Sequence, residues 1–161
     1  MNNEHYRMAQ IHRDRGKRHY AANEIKEAVA ELTEAYKFDP RDPEILSLLA
    51  EIYGAAGFID PAADLIQKSL RENFSDVRGW IMLANLYAQK GGAYQELALE
   101  QLNQAENLDP KQSMIPYLRG NICARRGQIE EAKNYLRKAL ELDPKNMYAK
   151  RDLDILNKPP E

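Results

Sequence analysis

Three histidines stand seven residues apart near the start of the chain, His5, His12 and His19. That interval would line them along one face of a helix. Two imidazoles that share a metal ion from one helix usually stand at i and i+4, and two helical turns, about 10 Å, is too long for one ion to bridge. The expectation is an exposed helix face without a metal, its chemical alternative being a pH-sensitive contact surface. The single cysteine, Cys123, has no second thiol to pair with and no histidine nearby in sequence, so it reads as a packed thiol rather than a nucleophile. Gly91-Gly92 is followed by no lysine and preceded by no strand-like run, so it is not a phosphate loop. The many carboxylates fall at salt-bridge spacing on helix faces. No enzyme motif emerges, and neither a cofactor nor a metal is expected.

Composition narrows the classes further. The 161 residues suffice for an ample core, with 30% charged and 43% apolar side chains. No run approaches the roughly 20 apolar residues of a membrane helix, and residues 1–8 are polar, without the apolar core of a signal segment. A reducing, cytoplasmic setting is expected. Net charge is −2, but it is uneven. Residues 41–110 carry five basic and eleven acidic side chains, or −6, whereas residues 111–161 carry eleven and seven, or +4. A dedicated nucleic-acid binder would show a stronger basic excess, so nucleic acid is not an expected partner.

The elements that must position these residues are written as a repeat. Phe38-Asp39-Pro40, Leu108-Asp109-Pro110 and Leu142-Asp143-Pro144 share a phrase; Pro110 and Pro144 lie 34 residues apart, and Pro40 and Pro110 lie 70 apart. A fixed period of that length means stacked supersecondary units. Trp80, Leu83, Ala84 and Tyr87, then Ala98, Leu102 and Ala105, follow the three-and-four spacing of one helix face, as do Leu46, Leu49, Ala50 and Tyr53, then Ala62, Ile66 and Ser69. Small residues recur where paired helices must approach closely: Gly16, Ala50, Ala84 and Gly120 in the first halves, Ala28, Ala62, Ala98 and Ala132 in the second. Gly57, Gly91 and Gly127 fall between the halves, where the chain must reverse. Asp42-Pro43 and Asp60-Pro61 read as helix starts with a capping carboxylate, and Asp76, Ser113 and Asn146 as further caps. These signals predict eight helices in antiparallel pairs and a ninth over about 147–157.

The pattern W-x2-L-[GA]-x2-Y, then A-x3-[LI]-x2-A and Asp-Pro, resembles the tetratricopeptide repeat. Residues 80–87 carry its first half and residues 132–144 its second. The resemblance implies an all-α, right-handed superhelical solenoid of about nine helices. It divides the chain, as one domain, into repeats of about 9–42, 43–76, 77–112 and 113–146 with a capping helix after them. The departures are specific. Repeat three holds two extra residues near Gly91-Gly92-Ala93-Tyr94, predicting a longer turn or an offset second helix. Phe74 stands where other repeats have proline, and Arg119 where leucine is expected.

In that family the first helices of the repeats line a concave groove that binds proteins. Carried over by position, the groove residues are Arg13 and Lys17, then Leu48 and Glu51, then Arg78, Ile81, Met82, Asn85 and Gln89, and last Tyr117, Leu118, Asn121 and Arg125. Asn85 and Asn121 occupy equivalent positions and can both donate to and accept from an extended backbone. Met82 and Tyr117 are the expected apolar anchors. Leu48 and Met82 stand where a carboxylate-gripping variant of the family has polar groups, so a terminal clamp of that kind is not expected. The resemblance implies a non-enzymatic adaptor or scaffold that binds a peptide segment of another protein. The alternatives are a scaffold that self-assembles through its terminal repeats, or a chaperone-like subunit of a larger complex.

Overall fold

The computed structural model describes residues 3–158. Among them are nine α-helices and no strand: α1 Asn3–Ala21, α2 Ile25–Phe38, α3 Pro43–Ala55, α4 Ile59–Glu72, α5 Val77–Lys90, α6 Tyr94–Leu108, α7 Met114–Arg125, α8 Ile129–Leu142 and α9 Met147–Leu156. The described residues are all-α and built as consecutive helix pairs. It forms two compact units, and the division falls inside α5, after Met82.

In unit 1, α1 packs on α2, α2 on α3, and α3 on α4. Ala28, Leu32, Ala35, Ile45, Leu49 and Ile52 form its core, with Tyr20, Leu48 and Tyr53 partly buried against it. The α1–α2 crossing is close because Gly16 has no side chain: a Cβ there would come within 2.6 Å of Leu32 Cγ. α1 begins at Asn3, well before the expected start of the first repeat. In unit 2, α6 packs on α7, α7 on α8, and α8 carries α9. Leu102, Ile115, Ile122, Leu136 and Ala149 are among its fully buried side chains.

The recurring Asp-Pro phrase has a local physical cause. Asp39, Asp109 and Asp143 each end a helix, their N–H groups donating to Ala35, Ala105 and Ala139 carbonyls at 2.9, 2.8 and 2.9 Å. Each carboxylate then reaches over the proline to accept the N–H two residues on, from Arg41 at 3.2 Å, Lys111 at 3.0 Å and Lys145 at 2.9 Å. Proline has no N–H to satisfy and cannot extend the helix, so aspartate and proline together close one element and aim the next. Gln112 and the Lys111 N–H hold the Asp109 carboxyl below its ordinary range.

Several expected details resolve differently. Asp42 does cap α3, accepting from Glu44 N–H at 2.8 Å and Ile45 N–H at 3.3 Å. Asp60 does not cap α4, because that helix already begins at Ile59 and its N-cap is Phe58. Ser113 makes no capping bond either; its hydroxyl accepts from Asn146 Nδ2 at 3.2 Å, while Asn146 caps α9 through Ala149 N–H at 3.0 Å. The two extra residues of repeat three do not lengthen the turn. Residues 91–93 join α5 to α6 just as residues 56–58 join α3 to α4, and the extra length goes into the helices, α5 having 14 residues against 13 in α3, and α6 having 15 against 14 in α4. Asn23, with φ +61°, takes the turn position that Gly57 fills at +84° and Gly127 at +75°. No atom lies near a Cβ built on Gly57, so replacing it costs only the left-handed backbone. Gly57→Ala should lower stability by about 1 kcal/mol in urea unfolding.

Candidate functional site

The residues expected to line a binding surface divide between the two units, and their circumstances differ. In unit 1, Arg13 and Lys17 are internal partners rather than free cations. Arg13 Nη1 donates to Asp42 Oδ2 at 2.9 Å and its Nε lies 3.1 Å from Glu44 Oε2; Lys17 pairs with Glu44 as well. Burial opposes the charge on Arg13, but Glu44, Asp42 and Asp14 outweigh it and hold its pKa above the ordinary value. Glu51 accepts the Tyr20 hydroxyl at 2.9 Å, and Leu48 packs against the core. Arg78 is exposed, whereas Ile81 and Met82 are half-buried.

Of the three histidines of α1, His5 is exposed as expected, whereas His12 and His19 are half-buried. The His12 ring stacks on Phe38 with centroids 5.9 Å apart and planes 8° apart, and its Nδ1 lies 2.6 Å from Glu31 Oε2. His5 meets the edge of Phe38 at 5.7 Å, and His19 Nδ1 lies 2.6 Å from Glu24 Oε2. These side chains join α1 to α2 and the turn between them.

Unit 2 holds the better-formed site. Asn85 and Gln89 on α5, Tyr117, Leu118, Asn121 and Arg125 on α7, and Arg151 and Asp152 on α9 line one recess of about 210 Å³. Helical spacing explains the grouping, since Asn85 with Gln89 and Asn121 with Arg125 each lie four apart on one face. Tyr117 and Leu118, expected to project toward a partner, are instead buried, at 9% and 3% exposure. The cause for Tyr117 is α9: Tyr148 covers its ring at 5.9 Å, and its hydroxyl donates to Asp152 Oδ2 at 3.3 Å. Burial pushes the Tyr117 hydroxyl pKa up, Asn121 works against that shift, and the charge of Asp152 adds to it. Tyr117, expected as an anchor, therefore forms a wall of the recess together with Leu118. Arg125 Nη1 donates to the Ala88 carbonyl at 2.5 Å, meeting one of the carbonyls that a helix C-terminus leaves open. The α9 contribution was not visible in the spacing that identified the α5 and α7 residues; only the docking of α9 on α8 brings Arg151 and Asp152 to this place.

Two residues with chemical potential outside the recess are accounted for by packing. Cys123 is a buried free thiol; burial pushes its pKa up, the charge of Glu131 adds to this, and Arg126 and Arg119 oppose it. Arg119, in the place of the expected leucine, donates to Glu106 at 2.7 Å and Asn103 at 2.8 Å on α6. Among the described residues no group of three or more His, Cys, Asp or Glu side chains could hold a metal ion, and no helix is long and apolar enough to cross a membrane.

Comparison with known proteins agrees with this architecture. The tetratricopeptide-repeat family is matched over residues 117–146 and the TPR repeat family over residues 16–57. The TPR repeat-containing protein MJ1428 of Methanocaldococcus jannaschii is 34% identical over 92 residues, 57% of this chain and 16% of that protein; the chain thus spans only a small part of the curated relative's length. Among solved structures, TTC0263, a thermophilic TPR protein of Thermus thermophilus, superposes with a TM-score of 0.77 at 25% identity, over 91% of this chain and 81% of its own. A chain of the APC/C hetero-tetramer Cut9–Hcn1 gives a TM-score of 0.83 at 18% identity, over 94% of this chain and 30% of its own, a likeness of fold alone.

Proposed function

The chain belongs to the tetratricopeptide-repeat proteins, and from that premise we propose that it is a non-enzymatic adaptor that binds a peptide segment of a partner protein. The observation that carries this reading is the recess of unit 2, where Asn85, Gln89 and Asn121 present side-chain amides from two neighbouring helices. Such groups can pair with the N–H and C=O groups of an extended backbone without regard to its side chains. In this reading residues 9–146 work as four repeats of one binding domain, with α9 as the cover of the last. Arg13 and Lys17 serve the fold of unit 1 through their acidic partners. A reducing compartment, the cytoplasm, suits the buried free Cys123.

Selection of displayed random peptides on the full chain tests the reading. The enriched peptides should lose about tenfold in affinity with Asn85→Ala/Asn121→Ala, as two amide hydrogen bonds predict, while far-UV circular dichroism stays unchanged. Peptides that bind both proteins equally would remove the recess from the reading.

Self-assembly is the second reading, favoured by α9, whose Met147, Tyr148 and Ile155 are 71%, 58% and 55% exposed. A terminal helix of a stacked array needs a polar outer face to stay alone in water. Light scattering should then give a mass above the 18.5 kDa of one chain, reduced by Met147→Ser/Ile155→Ser; a monomeric wild type ends this version.

A further inference from the structure

The joint between α2 and α3 in unit 1 shares no residue with the recess of unit 2 and has a different chemistry. Asp39 at this joint is only 8% exposed, whereas its counterparts Asp109 and Asp143 are half-buried. Its Oδ1 accepts the Arg41 N–H at 3.2 Å, and among the described residues no donor reaches its Oδ2. One residue type explains the difference. Three positions after Asp109 stands Gln112, whose Nε2 donates to Asp109 Oδ2 at 2.6 Å. Three positions after Asp39 stands Asp42, which as a carboxylate can only accept. We propose that the recess at this joint is a subsite for an organic cation, taking a lysine or arginine side chain of a partner protein with its charged head at Asp39 Oδ2 and its stem along Tyr6, Pro40 and Pro43.

The recess has a volume of about 740 Å³, and Tyr6, Pro40 and Pro43 are among its walls. Tyr6, 46% exposed, lies in the first turns of α1, ahead of the expected start of the repeats at residue 9. An aromatic face and two proline rings give the aliphatic stem of a long cationic side chain an apolar bed, and the ring face attracts the charge itself. The ionised groups of the lining favour a cation too. Asp39, Asp42 and Glu44 stand against Arg13 and Arg41, an excess of one negative charge. Both arginines are engaged elsewhere, Arg13 by Asp42 and Glu44 and Arg41 by the two oxygens of Glu72 at 2.9 and 3.0 Å. The unmatched charge is therefore that of Asp39. A carboxylate so far withdrawn from water is costly to keep with one oxygen unmet, and an ammonium or guanidinium donating to that oxygen offsets the cost.

Three fluorescein-labelled Gly/Ser peptides with amidated ends test this by anisotropy on the full chain at constant ionic strength, one carrying two lysines, one two arginines and one two glutamines. At least one cationic peptide should bind roughly tenfold more tightly than the glutamine peptide, and which of them does so identifies the side chain. The preference should vanish in Asp39→Asn, which keeps an oxygen to accept the Arg41 N–H. It should survive in Asp143→Asn, which removes the same charge from the equivalent joint after α8. Tyr6→Leu, which takes no part in closing α2, should reduce it about two- to fivefold. Equal affinity of the three peptides overturns the cation subsite. So does a preference that outlasts Asp39→Asn, or one that Asp143→Asn erases to the same degree, because bulk charge then explains it. Should circular dichroism show Asp39→Asn unfolded, Tyr6→Leu decides, and an undiminished preference overturns the proposal. The recess of unit 2 is tested apart from this: Asn85→Ala/Asn121→Ala should leave the preference intact, and a preference lost there removes it from Asp39.

Discussion

Leu32→Ala should lower the stability of unit 1 by about 2–5 kcal/mol. Leu32 is fully buried, and its Cγ and Cδ2 atoms occupy the space that a Cβ on Gly16 would enter, at 2.6 and 2.9 Å. Removing three carbons there loses their transfer energy and leaves a void between α1 and α2. Gly16→Ala presses into the same space from the other side, and overpacking of that kind costs about 1–3 kcal/mol. Part of that is returned by alanine's better helix propensity, about 1 kcal/mol. The informative measurement is the pair. If the two residues share one contact, the double variant should be more stable than the sum of the single effects, because the added methyl fills part of the void. Urea unfolding of the four proteins gives the coupling directly, and strict additivity would mean that α1 and α2 do not meet as described.

Asp42→Ala should cost about 2–3 kcal/mol, more than an ordinary cap. Its two oxygens do different work: Oδ1 accepts the Glu44 and Ile45 N–H groups at the start of α3, and Oδ2 takes Arg13 from α1. Loss of the cap accounts for about 1 kcal/mol. The rest follows from leaving the part-buried Arg13 guanidinium with only Glu44 and Asp14. Asp42→Asn keeps a capping oxygen and removes the charge, so it should recover about half of the loss. An Asn variant no better than alanine would assign the whole effect to the ion pair.

The sequence made the helices legible where one residue type has one local task. Asp-Pro closes a helix at residues 39–40, 109–110 and 143–144 through bonds to neighbours within four residues, so the phrase and the structure coincide. The same two letters mislead at Asp60-Pro61, because aspartate before proline suits both the cap and the first turn, and α4 starts two residues earlier than that cap implies. Asn23 shows the converse: its left-handed turn is shared with Gly57 and Gly127, but a single asparagine carries no periodic signal.

The site was legible only in part. Asn85 and Asn121 stand at equivalent points of two repeats and do line one recess. Arg13 and Lys17 looked like free groove cations because their acids lie far along the chain; Asp42 is 29 residues from Arg13, and Glu44 is 27 from Lys17. Tyr117 looked unpartnered for the same reason, since its cover, Tyr148, and its hydrogen-bond acceptor, Asp152, belong to the helix after the last repeat. Periodicity identifies which face a side chain occupies. It does not identify the neighbour that arrives one repeat later.

The closure at Asp109 has an architectural corollary. Its N–H is met by Ala105, its Oδ1 by the Lys111 N–H and its Oδ2 by Gln112 at 2.6 Å. Each of these three hydrogen bonds is made within four residues of Asp109, and none depends on which repeat comes before or after. Such a joint is a natural seam for lengthening the array: a segment of 34 residues, the interval from Pro110 to Pro144, carries its own hinge with it when copied. Growth by duplication then requires new complementarity only between helix faces, and the polypeptide geometry at the junction is inherited ready-made.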